Sequence, residues 1–312
     1  MKSVRRDRRG LDRDAIRHHY DVSNEFYELF LDKRMLYTCA YFRDPEGGLE
    51  QAQLDKMDLV CRKLRLQRGE RVLDIGCGWG SLARHAAAEY GAEVLGVTLA
   101  EEQAAWAQER VAAEGLADRC RIELRDYRDL VGEQPFDKIA AIGIIEHIGR
   151  ENYPAYFNLV HGLLRPGGLF LNHGITRTRH WKHTPQWDFL LENVFPNGDL
   201  THISHLAGVM EENSFDILDI ENLRTHYART CALWADRLAA REAEAVALVG
   251  TRTFRIWKLY LAASAVAFEE GSIYLHQTLA SPTGTQVSQR PGTREDIYRD
   301  WPRRAEPRPG TT

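Results

Sequence analysis

The sequence predicts an α/β protein: a Rossmann-like sheet of seven strands, with helices at its N-terminal side and a helical cap inserted after the fifth strand. Three observations predict it. The run Val72-Leu73-Asp74-Ile75-Gly76-Cys77-Gly78-Trp79-Gly80 is a short apolar strand that meets a glycine-rich turn and opens a helix. From Arg71 to Asn172, short apolar runs alternate with segments of helical length, the order that right-handed βαβ units require. Between residues 177 and 214 the strand period disappears, although Trp181, Trp187, Phe189, Leu190, Leu191, Phe195 and Pro196 are there.

Residues 12–66 read as a helical N-terminal part. Asn24 to Leu31 places aromatic and aliphatic side chains three and four apart, and Leu54, Met57, Val60, Cys61 and Leu64 share one face of a second helix. The cofactor-binding core spans 71–175. Its predicted strands are Arg71–Ile75, Glu93–Val97, Arg121–Leu124, Lys138–Ile145 and Leu169–Asn172. The helices between them are Ser81–Tyr90, Glu101–Gly115 and Asn152–Leu164, the last stopped by Arg165-Pro166-Gly167-Gly168. The cap covers 177–214. Residues 215–280 return to regular structure: strand Phe215–Leu223, helices His226–Ala240 and Glu242–Glu270, and Ser272–Leu279 as an edge strand. All of 12–280 reads as a single domain. A basic tail (1–11) and a Pro-, Gly- and Arg-rich tail (281–312) are expected to be disordered.

Composition narrows the function classes. At 312 residues and 44% hydrophobic content the chain can bury a sizeable core, and it contains no apolar run of membrane-spanning length. No secretory signal follows the charged start, so a cytoplasmic protein is expected. Five scattered cysteines without a Cys-x-x-Cys pair fit neither a disulfide framework nor a zinc site, and no metal is expected. A net charge of −4 gives no reason to expect nucleic acid. The basic termini are either solvated tails or a weak attraction to anionic lipid head groups at a membrane surface.

The glycine turn does two things. Without Cβ atoms the backbone reaches positive φ and a nucleotide-like ligand comes close; the helix that follows offers free N–H groups. Gly76, Gly78 and Gly80 are the residues concerned. A dinucleotide enzyme would place an acid about 20 residues on to hold a ribose. Here that place is held by Thr98, with Gln103 one turn into the next helix. Thr98 either bonds a ligand or caps that helix. Asp74 either orders the loop backbone or is a surface acid. Asp126 and Tyr127 follow the third strand, where Tyr127 would offer an adenine a stacking face. Glu146 and His173 are read as closing strands four and five, the edge at which α/β proteins bind ligands.

The chain resembles the cyclopropane fatty acid synthases and mycolic acid cyclopropane synthases from about Ile16 to Leu279. The resemblance rests on His19-Tyr20-Asp21-Val22-Ser23-Asn24-Glu25-Phe26-Tyr27, Leu36-Tyr37-Thr38-Cys39-Ala40-Tyr41-Phe42, the glycine loop, Gly96-Val97-Thr98-Leu99 with Gln103, and Glu146-His147-Ile148-Gly149. It implies a methyltransferase fold, S-adenosylmethionine as methyl donor with Tyr37 joining the cofactor residues, and the cis double bond of an unsaturated acyl lipid as acceptor. It also implies a bound bicarbonate as base, held by Cys39, Glu146, His173, Ile175 and Tyr227. Read from the residues alone, Cys39 is a small buried hydrophobe and Tyr227 packs a helix start. Tyr20, Tyr37, Phe42 and Trp79 either stabilise a cation or fill core.

The chemistry accounts for these residue types. An alkene that takes up a methyl cation leaves positive charge on its far carbon, so water must be kept out. Loss of a proton from the added methyl then closes the ring. The additional N-terminal domain of phospholipid-acting relatives is expected to be missing, and the lipid carrier stays open. So does the product, since the same cation leads to methyl or methylene branches. A methyltransferase of this architecture with another acceptor, and a non-catalytic cofactor binder, are the competing readings. The C-terminal edge strand and the long apolar helix are the expected face of a homodimer.

Overall fold

In a computed structural model, residues 23–194, 198–284, 293–299 and 301 are described. Both predicted tails lie largely outside this range, as do Tyr20 and Phe195-Pro196-Asn197. Two helices precede the sheet, α1 (Asn24–Glu28) and α2 (Leu49–Lys63). The sheet and its covering follow as β1 (Arg71–Ile75), α3 (Ser81–Tyr90), β2 (Glu93–Thr98), α4 (Glu101–Ala113), β3 (Cys120–Leu124), β4 (Phe136–Ile142), α5 (Ile145–Ile148), α6 (Tyr153–Leu163) and β5 (Leu164–Arg177). After them come α7 (Pro185–Asn193), α8 (Ile203–Glu212), β6 (Phe215–Asn222), α9 (Arg224–Ala240), α10 (Glu242–Glu270), β7 (Ile273–Pro282) and α11 (Glu295–Tyr298).

The seven strands form one sheet in the order β3-β2-β1-β4-β5-β7-β6. The first five are parallel, and β7 runs antiparallel to both β5 and β6. This is the predicted fold class, with one correction: β7 is interior and the edge strand is β6. Pairing on both sides explains why Leu275, Leu279 and Ala280 are almost fully buried. Any strand-edge dimer contact on this side of the sheet would therefore fall to β6, the opposite edge being β3. The strand β6 carries Asp216, Asp219 and Glu221, and charge of this kind discourages edge-to-edge pairing.

The N-terminal part is less helical than its spacing predicts. Among its described residues only α1 and α2 form, and 29–48 is an irregular connection. The break has a local cause. The Asp32 carboxylate accepts the N–H groups of Arg34 (3.0 Å) and Leu36 (2.9 Å), and Met35 takes a positive φ of 60°. Phe26, Tyr27 and Phe30 still pack inward as expected, against Tyr37 and Trp257.

Two strand ends also differ. The strand β4 stops at Ile142 because Gly143 turns at φ 72°, so Glu146 sits in the single turn α5 and does not close the strand. The strand β5 runs on to Arg177, since β7 pairs with it from Phe170 to Arg177; His173 is thus interior to β5. The cap divides. Leu206, Val209 and Met210 of α8 belong to the core cluster under the sheet with Phe157 and Phe215, and only the segment through α7 overhangs a cavity. Residues 293–299 and 301 of the expected disordered tail are structured: Arg65 pairs with Asp296 at 2.7 Å, and Trp301 stacks on Tyr41. Among the described residues, no helix is long and apolar enough to cross a membrane.

Candidate active site

The C-terminal ends of β1, β2 and β4 wall a cavity of about 170 Å³. Its floor is the glycine turn. Gly76 has φ 70°, and a Cβ there would lie 2.0 Å from Ile144 Cδ1. Only glycine lets this turn pass the loop after β4. The N–H groups of Gly76 and Cys77 both donate to the Val97 carbonyl, at 2.8 and 3.0 Å, which ties the turn to β2. Trp79 donates its indole N–H to Asn24 at 2.8 Å and so fastens α1 to the same turn.

Of the predicted cofactor residues, Tyr37, Gly76, Gly78, Thr98, Gln103 and Tyr127 line this cavity. The structure places Gly80, Asp74 and Asp126 behind its wall. A Cβ on Gly80 would meet Ala107 at 3.0 Å, so this glycine sets how closely α3 and α4 pack. The Asp74 side chain lies on the other face of β1, beside Val60, Leu82 and Ala140. Burial lifts its carboxyl to about 7, and its Oδ2 has no hydrogen-bond partner among the described residues. Asp126 is buried, accepts the Arg128 N–H at 2.9 Å and grips the Arg128 guanidinium at 2.6–3.0 Å. It thereby sets Arg128 in the cavity wall, a residue the sequence reading missed. The Thr98 hydroxyl accepts the N–H of Ala100 and donates to Gln103 Oε1, both at 3.3 Å, so it shapes the turn before α4 and does not cap the helix itself.

A second cavity of about 110 Å³ opens beside the first. Tyr37, Gly143 and His147 belong to both walls. Its remaining lining is mostly apolar, including Ile175, Trp187, Leu190, Leu191, Leu200, Cys231, Phe268 and Ile273, with Tyr227, Tyr260, Ser264 and Glu146 as polar exceptions. The Tyr37 hydroxyl donates to that of Tyr260 at 3.0 Å, and the Tyr227 ring stacks on Phe268 at 4.5 Å. Of the other aromatics expected near a cation, Trp79 lines the first cavity. Phe42 lies elsewhere, against His226 and beneath Arg229.

Three of the five residues implied to hold an anion, Glu146, Ile175 and Tyr227, face this second cavity. Glu146 Oε1 accepts the Ile175 N–H at 2.7 Å, its Oε2 has no partner among the described residues, and burial lifts its carboxyl to about 7. His173 is 1% exposed and sits beneath the cavity wall. Burial, and then the positive charge of Lys56 and Lys63, holds its imidazole well below the ordinary histidine range. Its Nδ1 faces the Gln277 amide nitrogen at 3.0 Å, so the ring proton belongs on Nε2, which has no partner among the described residues. Cys39 is fully buried, its Sγ within 3.2 Å of the Ala40 carbonyl, and it contributes no wall. Burial pushes its thiol well up, which leaves it inert. Gln277 and Tyr260 were hidden from sequence reading inside an apolar strand and an apolar helix face. Among the described residues, no group of three or more His, Cys, Asp or Glu is placed to hold a metal ion.

Comparison with known proteins adds the family. The family model for mycolic acid cyclopropane synthetase matches residues 7–278. A probable fatty acid methyltransferase of Pseudomonas putida is 48% identical over 293 residues, covering 92% of this chain and 74% of that protein. The cyclopropane-fatty-acyl-phospholipid synthase of Escherichia coli strain K12 is 40% identical over 263 residues, 84% of this chain and 66% of its own length. Among solved structures, the cyclopropane synthase MmaA2 from Mycobacterium tuberculosis superposes with a TM-score of 0.83 at 33% identity, covering 86% of this chain and 98% of that one. A match over this much of the chain, on a site whose glycine-floored cavity adjoins an apolar second one, places the protein in the mycolic acid cyclopropane synthetase family of S-adenosylmethionine-dependent methyltransferases.

Proposed function

We propose that this chain adds a methylene group, taken from S-adenosylmethionine, across the cis double bond of an unsaturated lipid acyl chain, and closes a cyclopropane ring. The observation that carries the reading is the shared wall. A glycine-floored cavity with Thr98, Gln103 and Arg128 in its wall and a second, mostly apolar cavity meet at Tyr37, Gly143 and His147, so a donor in one and an alkene in the other would face each other there.

S-adenosylmethionine supplies an electrophilic methyl on a sulfonium centre when bound, and bicarbonate supplies a base for the departing proton. The glycine turn, Thr98, Gln103, Tyr127 and Arg128 would hold the nucleoside and amino-acid ends of the donor. Apolar walls at Leu190, Leu191, Phe268 and Ile273 exclude water, so that a cation on the acyl chain is not captured as an alcohol. The rings of Tyr37, Tyr227 and Tyr260 line the same cavity and would favour that charge by cation–π attraction. His147 is half-buried and desolvation holds its imidazole near pKa 4, so at neutral pH it adds no positive charge to repel the cation.

Bicarbonate fits the residues present. The donors that reach it from the cavity wall are the Tyr227 hydroxyl and a Glu146 carboxyl that keeps its proton up to about pH 7, and the His173 Nε2–H lies beneath that wall. Two of these groups end in buried atoms without partners among the described residues, which is the condition an acceptor-rich anion would relieve. The test is incubation with methyl-labelled S-adenosylmethionine and mixed unsaturated phospholipids, followed by mass analysis. Gain of one CH₂ with loss of the alkene is the expected result. Gain of CH₂ with the alkene retained would instead place this chain with enzymes that make branched products, and similarity to the probable fatty acid methyltransferase of P. putida makes that the second reading.

A further inference from the structure

The mouth of the apolar cavity carries a feature that methyl transfer itself does not use. The segment from Arg177 to Trp187 reads Arg-Thr-Arg-His-Trp-Lys-His-Thr-Pro-Gln-Trp and contains no acid. Arg179, His180, Lys182 and His183 are exposed. Trp181 and Trp187 meet edge to face at 5.3 Å, with the Arg177 guanidinium 5.2 Å over the Trp181 ring. Trp187 begins the cavity wall, which Leu190 and Leu191 of α7 continue, and all three are only half-buried.

We propose that this loop, with the start of α7, is a docking surface for the face of an anionic phospholipid bilayer, seating the mouth of the acceptor cavity against the lipid. The inference rests on the lipid-acceptor reading above and deepens it by naming the surface through which the acyl chain arrives. Charge chooses the occupant. Arg177, Arg179 and Lys182 outnumber the one carboxylate at the start of α7, Asp188, which lies 3.0 Å from His183 Nε2; this net positive face suits phosphate head groups, each cation near such a surface strengthening binding. Paired tryptophans suit the boundary between head groups and acyl chains, where an apolar ring body and a polar N–H are both satisfied. A second copy of this chain would bring the same three cations against themselves if the loop packed on its own counterpart. Position completes the argument. The same tryptophan that faces outward walls the cavity, so an acyl chain lifted from the leaflet enters apolar surroundings without crossing water.

The experiment is co-sedimentation of the full chain with vesicles of fully saturated phosphatidylglycerol or fully saturated phosphatidylcholine, at low and high salt. These lipids contain no alkene, so binding is read without turnover. The wild type is expected to sediment with phosphatidylglycerol, to prefer it over phosphatidylcholine, and to be released by salt. The double variant Arg179→Glu/Lys182→Glu is expected to bind at least about tenfold more weakly, and Trp181→Ala severalfold more weakly, with unchanged thermal denaturation. Turnover of a detergent-dispersed unsaturated lipid should be unchanged in the double variant. Equal binding by that variant and the wild type would overturn the proposal and assign binding to another surface. Absent wild-type binding, or a dimer that the variant dissolves, would overturn it too. If dispersed lipid is still turned over in those cases, the acceptor reading stands alone. Vesicle binding without any turnover would instead sink the acceptor reading.

Discussion

The two cavities at the centre of this protein are built by different means. The donor cavity is walled mainly by loops at one edge of a parallel sheet, and its floor is a single continuous turn from Gly76 to Trp79. The acceptor cavity joins Tyr37, Glu146, Ile175, Tyr227 and Tyr260, which reach it from an irregular loop, a one-turn helix, a strand and two long helices. Local backbone conformation dictates the first, whereas the second exists only once the whole chain has packed. Damage to the first should therefore show in folding and donor binding, and damage to the second in chemistry.

The largest effect is expected from Glu146→Gln. The amide keeps the size and the contact with the Ile175 N–H but loses the titrating carboxyl, and turnover should fall by about 100-fold or more. S-adenosylmethionine affinity, measured by calorimetry, should stay within about twofold. Equal losses in both would erase the distinction between the two cavities.

On the donor side, Gly76→Ala and Gly78→Ala form a matched pair. Both glycines have positive φ, at 70° and 55°. An added Cβ collides with Ile144 at the first and meets nothing within 4 Å at the second. Gly76→Ala should cost about 2–4 kcal/mol, combining backbone strain with overpacking. Gly78→Ala should cost about 1–2 kcal/mol, from backbone strain alone. Urea denaturation of both variants checks the difference, and equal costs would mean that the turn relaxes away from Ile144.

A third test concerns pH. Burial raises the Asp74 carboxyl from 3.8 to about 7. The folded state then binds the proton more tightly than the unfolded one, so stability is full below about pH 4 and declines as pH rises through about 7. Asp74→Asn removes this titration. The variant should gain on the order of 2 kcal/mol relative to wild type between pH 5 and pH 8, the span in which the folded wild type gives up this proton. Identical pH slopes for the two proteins in urea titrations would show that Asp74 ionises without cost.

How much of this was legible in the sequence follows the same division. The strand-turn-helix at Gly76 is written in consecutive residues, and the βαβ alternation placed the first four strands within a few residues of their ends but found only the middle of β5. The interior position of β7 was not legible, because an apolar run of this length reads alike at an edge or between two antiparallel neighbours. Asp74 and Asp126 were assigned to the wall by proximity in sequence. In a strand the next side chain points to the opposite face, and this puts Asp74 behind β1. Asp126 instead spends its carboxylate on Arg128. For the anion residues, spacing alone implied nothing about Cys39 or Tyr227. The resemblance supplied them, and the structure brings Tyr227 into the cavity while leaving Cys39 and His173 behind its wall.

The smallest expected effect tests the seam between the cavities. Tyr37 belongs to both walls, and its hydroxyl is held by Tyr260 from α10 at 3.0 Å. Tyr260→Phe keeps the ring and its packing on Trp257 but removes that partner. A neutral hydrogen bond of this kind is worth about 1 kcal/mol, so stability should fall by roughly that amount. The kinetic consequence depends on what the pair does. If it only braces the aromatic cluster, the Michaelis constants for donor and lipid should both stay near wild type. If it fixes the Tyr37 ring where the cavities meet, kcat should fall severalfold with donor affinity unchanged, because the ring face then wanders from the developing charge. A drop in donor affinity without a drop in kcat would assign Tyr37 wholly to the donor side, and the two cavities would touch at Gly143 and His147 alone.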